Sequence, residues 1–92
     1  MVSGKLLVQA SQTYNVNIEA AKSYMKASMF EKAATEFFAA HLSAKYITEN
    51  EHSEKEQEAW SLRASEAMDA YNALSYTQVI YDHWKVEIVR HR

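Results

Sequence analysis

Residues 21–40 read AKSYMKASMFEKAATEFFAA, and the order of small and aromatic residues in that stretch decides the fold class. Ala21, Tyr24, Ser28, Phe30, Ala33, Phe37 and Ala40 combine small side chains, where two helices can approach closely, with aromatic ones that fill the space between them. The spacing predicts two helices folded back on each other about a two-residue turn. Toward the C-terminus, Phe30, Ala33, Phe37, Ala40, Ala44 and Ile47 recur at steps of three and four on one face. Ala34, Phe38, Leu42 and Tyr46 add a second stripe, and an apolar face that wide predicts a helix lying between two neighbours. Trp60, Ala64, Ala67, Tyr71 and Leu74 repeat in the same way and supply the second neighbour.

Toward the N-terminus, Leu7, Ala10, Tyr14, Ile18, Ala21 and Met25 allow one continuous helix over residues 4–27. Asn15 and Asn17 interrupt the good helix formers, and Asn17 can instead cap a shorter helix from Ile18 to Ala27, leaving the residues before it as a loosely attached arm. Three Ser-x-x-Glu or Ser-x-x-Gln sequences have the form of capping boxes: Ser28 with Glu31, Ser53 with Glu56, and Ser75 with Gln78. They predict helix starts at Met29, Glu54 and Tyr76. The expectation is a single all-α domain over 1–92, an antiparallel bundle of three or four helices. Its core hairpin covers about 17–50, its third helix about 54–74, and its remaining segment is 76–92.

Composition narrows the function classes. The chain has 92 residues, no Pro, and one Gly, so it lacks the residues that β-turns and phosphate-cradling loops require. The absence of Cys removes disulfides, thiolate zinc sites and Cys nucleophiles together, which fits a reducing, cytoplasmic setting. The longest apolar run near the start, Leu6 to Val8, is too short for a signal-peptide core or a membrane span. Ten Lys and Arg against twelve Asp and Glu do not favour nucleic-acid binding. A domain of this size buries only about 60–65% of the surface its unfolded chain exposes, so burial against a partner or a second copy adds stability.

The order Ala21, Tyr24, Ser28, Phe30, Ala33, Phe37, Ala40 resembles one tetratricopeptide unit. With the long second helix, the His52-Ser53-Glu54-Lys55 connection and the Leu62-Arg63-Ala64 run, residues 10–74 are similar to the three-helix microtubule-interacting-and-transport (MIT) domain. That resemblance implies an adaptor that binds a helical or extended tail peptide of a protein partner between its second and third helices. It places the contact residues among Leu42, Tyr46, Glu49, Leu62, Glu66, Asp69 and Asn72. The acid-bearing triplet with which that family closes its third helix is replaced here by Ala70-Tyr71-Asn72. Phe37-Phe38-Ala39-Ala40 followed by Ala44-Lys45 also resembles the paired-aromatic helix of HEPN domains, found in toxin-antitoxin systems. The Arg-to-His ribonuclease spacing of that family is missing: Arg63 has no His before His83, and Arg90 is followed at once by His91.

No catalytic set emerges from the titratable residues, and the expectation is a non-enzymatic chain without metal or cofactor. Glu49 and His52 have the spacing of one half of a di-iron pair, but such sites need two pairs and two further carboxylates. His83, Glu87 and His91 lie at i, i+4 and i+8, a spacing that could hold a zinc or nickel ion, but in the final helical turns a solvated polar face is the better reading. His41 beside the apolar stripe reads as a half-buried, hydrogen-bonded histidine. Glu49, Glu51, Glu54, Glu56 and Glu58 form an acidic patch suited to solvation or to a basic tail.

The last segment carries the most unassigned apolar surface. Tyr76, Ile80, Trp84 and Ile88 recur every four residues, and Val79, Tyr81, Val86 and Val89 spread apolar character around the rest of the helix. Two arrangements would cover it: folding back to complete a four-helix core, or self-association into a homo-oligomer. Lys85, Arg90 and Arg92 make its end basic, which raises a third use, a nucleotide or other small anion held at a subunit interface. The sequence thus points first to a protein-binding module, with anion sequestration and a HEPN-like toxin-antitoxin component as alternatives.

Overall fold

The periodicities above become three helices in chain order: α1 (Gly4–Lys26), α2 (Phe30–Asn50) and α3 (Glu54–Arg90). The computed structural model describes the backbone of residues 4–90 and the side chains of residues 4–76. The backbone of α2 lies close to both other helices, whereas α1 and α3 reach each other through side chains such as the rings of Tyr14 and Trp60. The broad apolar face of α2 is thereby covered from two sides. Ala21, Ala33, Ala40 and Ala44 are fully buried, and the only large side chain as completely enclosed among the described residues is Ile47. With methyl groups at the closest approaches, the space left over is filled by half-buried rings.

Those rings sort into two layers. At one end Ala44, Ile47, Trp60 and Ala64 form a cluster joined by Leu7, Ala10 and Tyr14. At the other end Ala33, Ala34 and Leu74 gather Tyr24, Phe30, Phe37 and Tyr71. The first cluster decides between the two readings of the N-terminal segment. Leu7, Ala10 and Tyr14 dock on the far end of α2, so α1 runs unbroken through Asn15 and Asn17 and no loose arm precedes Ile18. Packing of an amphipathic stripe outweighs the few tenths of a kcal/mol that an Asn costs in a helix interior.

The turn between α1 and α2 corrects the role expected of Ser28. Met29 donates its N–H to the Tyr24 carbonyl at 2.8 Å and Ser28 donates to the Met25 carbonyl at 3.0 Å, the paired bonds of a Schellman C-terminus. Ser28 has φ 58°, the left-handed conformation that this motif demands after the helix ends. A residue so placed cannot also take the extended conformation of an N-cap. That position falls to Met29 (φ −94°, ψ 71°), which makes no side-chain cap bond, and α2 begins at Phe30 rather than Met29.

The second connection follows its capping box. Glu51 ends α2 in extended conformation and donates its N–H to the Ile47 carbonyl at 2.8 Å. Its carboxylate accepts the N–H groups of His52 (2.9 Å) and Ser53 (3.3 Å). Ser53 Oγ then accepts the Glu56 N–H at 3.4 Å, and α3 starts at Glu54. The Gln57 side-chain amide ties the new helix back to the Glu51 carbonyl.

The third box, Ser75 with Gln78, starts nothing: α3 passes through it and continues to Arg90. Residues 76–90 are therefore not a separate fourth helix folded back on the bundle; they extend the third, and 91–92 lie outside the described residues. With neither Gly nor Pro between Glu54 and Arg90, no residue forces a break, and a Ser-x-x-Gln sequence caps only where the chain already turns. The 37 residues of α3 account for about 55 Å at 1.5 Å per residue, and the molecule is 61 Å long and 19 by 17 Å across.

Candidate interaction surfaces

Three regions concentrate chemistry among the described residues. The first is a bridge between α1 and α3. Tyr14 and Trp60 meet edge to face with ring centroids 5.2 Å apart, and the Arg63 guanidinium lies over the Trp60 ring at 4.4 Å from its centroid. Burial pushes the Tyr14 phenol above its ordinary pKa; the positive charge of Arg63 opposes that shift and the negative charge of Glu66 adds to it. Ring and cation thus occupy the side of α3 turned toward α1. The spacing of Trp60 and Arg63 at i, i+3 is the signal that marks this stack in the sequence.

The second region is the seam between α2 and α3. His41 donates from Nδ1 to the Ala64 carbonyl at 2.8 Å, across the two helices, which fixes the tautomer with the proton on that nitrogen. Phe38 lies 6.2 Å from the His41 ring and 5.2 Å from the Tyr71 ring, centroid to centroid. Beside this seam runs an open groove of about 710 Å³ lined by Thr48, Glu54, Gln57, Glu58, Ser61, Leu62 and Ser65. Neither α1 nor any Lys or Arg contributes to its lining.

The third region is the hairpin end, where Phe30, Glu31, Ala34, Thr35, Tyr71, Leu74 and Ser75 surround a hollow of about 280 Å³.

The contact residues expected from the sequence are divided by this geometry. Leu62, 61% exposed, lines the groove. Leu42 (50% exposed) and Tyr46 (36%) are on the surface of α2 outside its lining, as is the exposed Glu49. Glu66 is exposed and outside the groove lining, its charge acting on the Tyr14 phenol, and Asp69 and Asn72 are exposed farther along α3. Tyr76 is 68% exposed. The side chains of Ile80, Trp84, Ile88, Lys85 and Arg90 lie outside the described ones, and Arg92 lies outside the described residues altogether.

The acidic patch is likewise split. Glu51 is consumed as a cap, Glu54 and Glu58 face the groove, and Glu56 borders a smaller hollow with Leu7, Val8, Ser11 and Trp60. Glu49 and His52 do not share a helical face, because α2 has ended at Asn50 before His52 is reached. No cluster of three or more His, Cys, Asp or Glu suited to a metal ion occurs among the described residues; the His83, Glu87 and His91 set lies outside the described side chains. Nor is any helix, among the described residues, long and apolar enough to cross a membrane. No family model, curated protein or solved structure matches the chain.

Proposed function

We propose that this chain is a non-enzymatic protein-interaction module whose α2–α3 groove holds a basic amphipathic segment of a partner, an adaptor of the kind to which residues 10–74 bear a resemblance. The observation that supports the reading is the lining of the groove. An exposed leucine, Leu62, sits among the carboxylates of Glu54 and Glu58, and no Lys or Arg is part of the lining. An apolar anchor on the partner would bury against Leu62, and Lys or Arg on either side would meet the two glutamates. The other lining groups, Thr48, Gln57, Ser61 and Ser65, offer hydroxyl and amide partners for a polar rim.

The test is a panel of labelled helical peptides with leucines at i, i+3 and i+7 flanked by lysines, titrated by fluorescence anisotropy. Leu62→Asp and the double substitution Glu54→Lys, Glu58→Lys should each weaken the best binder at least about tenfold. Because all three positions are exposed, helicity at 222 nm should not change. A panel whose best member binds the unaltered chain and the Leu62→Asp chain equally well sinks the groove reading.

A further inference from the structure

The hollow at the hairpin end is built differently from the α2–α3 groove and shares none of its described lining residues. It exists because a methyl group stands where a larger side chain would fill the space. Ala34, 7% exposed, clusters with the buried Leu74, and the half-buried rings of Phe30 and Tyr71 pack on the same cluster. All four line the hollow. Phe38 lies 5.2 Å from the Tyr71 ring, centroid to centroid, so that wall is packed in place before any ligand arrives.

The polar edge is one-sided. Glu31 and Thr35 are exposed members of the lining. The Thr35 hydroxyl donates its proton to the Glu31 carbonyl at 3.1 Å, so what it has left to offer is oxygen lone pairs. The Glu31 carboxylate is an acceptor too, and among the described residues it forms no ion pair. Lys32, the next residue in the chain, has its ammonium over the Tyr24 ring of α1, 5.8 Å from the centroid. No Lys or Arg is among the described lining residues. Apolar walls, two aromatic rings and an edge that only accepts hydrogen bonds suit a cation with a flat apolar body. A volume of about 280 Å³ is the liquid share of about nine waters, which limits that body to one ring with a short arm.

We propose that this hollow is a binding site for a small arylalkylammonium ion. Its ring packs on Phe30, Ala34, Tyr71 and Leu74, and its ammonium is held by the Glu31 carboxylate and the Thr35 hydroxyl oxygen. The occupant is a free molecule, because no protein side chain joins a six-membered ring to an ammonium group. The site stands apart from the groove and does not rest on the adaptor reading.

The experiment is an NMR titration of the isotope-labelled full chain at pH 7 with phenethylamine, with phenethyl alcohol and phenylacetate as neutral and anionic counterparts of similar shape. The amine should half-saturate below about 5 mM and shift the amides of Glu31, Ala34, Thr35 and Leu74. The alcohol should bind at least about threefold more weakly, and phenylacetate more weakly still. Glu31→Gln, at an exposed position, should weaken the amine about threefold and leave the alcohol unchanged. Ala34→Met fills the hollow and should remove both, whereas Leu62→Asp should leave the amine bound as before. An amine with no saturable shift by about 20 mM, equal affinities for amine and alcohol, or shifts centred on Ser61 and Leu62 overturn the proposal. So does an amine affinity that Glu31→Gln leaves unaltered, a result that decides the matter even where Ala34→Met fails to fold.

Discussion

Ser28 offers the sharpest check on the backbone, because its two readings predict opposite responses to the same substitutions. In the turn it has φ 58°, and a side chain bearing Cβ costs about 1–2 kcal/mol in that region relative to glycine. Ser28→Gly removes that strain but gives the unfolded chain more freedom, a loss of about 0.4–1 kcal/mol. The net expectation is a gain of about 0.5–1 kcal/mol. Ser28→Ala keeps a Cβ and removes a hydroxyl that caps nothing, since α2 begins after Met29 without a side-chain cap bond; it should stay within about 0.5 kcal/mol of the parent. Were Ser28 the N-cap of α2, alanine would cost about 1 kcal/mol and glycine a few tenths. Urea unfolding followed at 222 nm, at one fixed protein concentration, separates the cases. With a slope of about 1–3 kcal/mol per molar, Ser28→Gly should raise the midpoint by about 0.2–1 M. A Ser28→Ala chain that loses 1 kcal/mol, or a Ser28→Gly chain less stable than the parent, would refute the assignment of Ser28 to the end of α1.

Two further predictions test the bridge between α1 and α3. Trp60 is 8% exposed and joins Tyr14, Ile47 and Ala64, so Trp60→Ala should cost about 3–5 kcal/mol. For a domain this small that is most of the stability, and the helix signal at 25 °C should fall sharply. Burial raises the Tyr14 phenol pKa in the folded chain, so the folded state holds its proton more tightly than the unfolded one. The resulting stability is complete below the ordinary phenol value of about 10 and is lost as pH rises through the folded-state pKa. Urea midpoints measured from pH 9 to 11 should therefore fall for the parent and fall less steeply for Tyr14→Phe; equal slopes would show that Tyr14 does not titrate differently on folding.

Much of the architecture follows from side-chain order alone. The three-and-four spacing from Phe30 to Ile47 and from Trp60 to Leu74 is legible because a helix converts it into one apolar face whatever surrounds it. The cap at Ser53 is legible because its oxygen reaches the Glu56 N–H within a single turn, a local geometry. The composition of the acidic groove was visible only in outline, since the glutamates from Glu49 to Glu58 are neighbours in sequence, but four of them serve a cap and two separate hollows in space while Glu49 stays on the surface of α2.

What tertiary structure decided are the choices between locally equal alternatives. Asn17 and Ser75 each offered a helix start, and neither was used, because Leu7, Ala10 and Tyr14 dock on the end of α2 while nothing turns the chain at Ser75. Ser28 became the end of one helix rather than the start of the next, since a two-residue turn leaves room for a single αL residue. Arg63 was assigned to the Trp60 and Tyr14 bridge, and Leu62 to the groove, by the rotation of α3 against its neighbours. Periodicity says that a face is buried, but which residues flank it and which stand clear depends on contacts between segments distant in sequence.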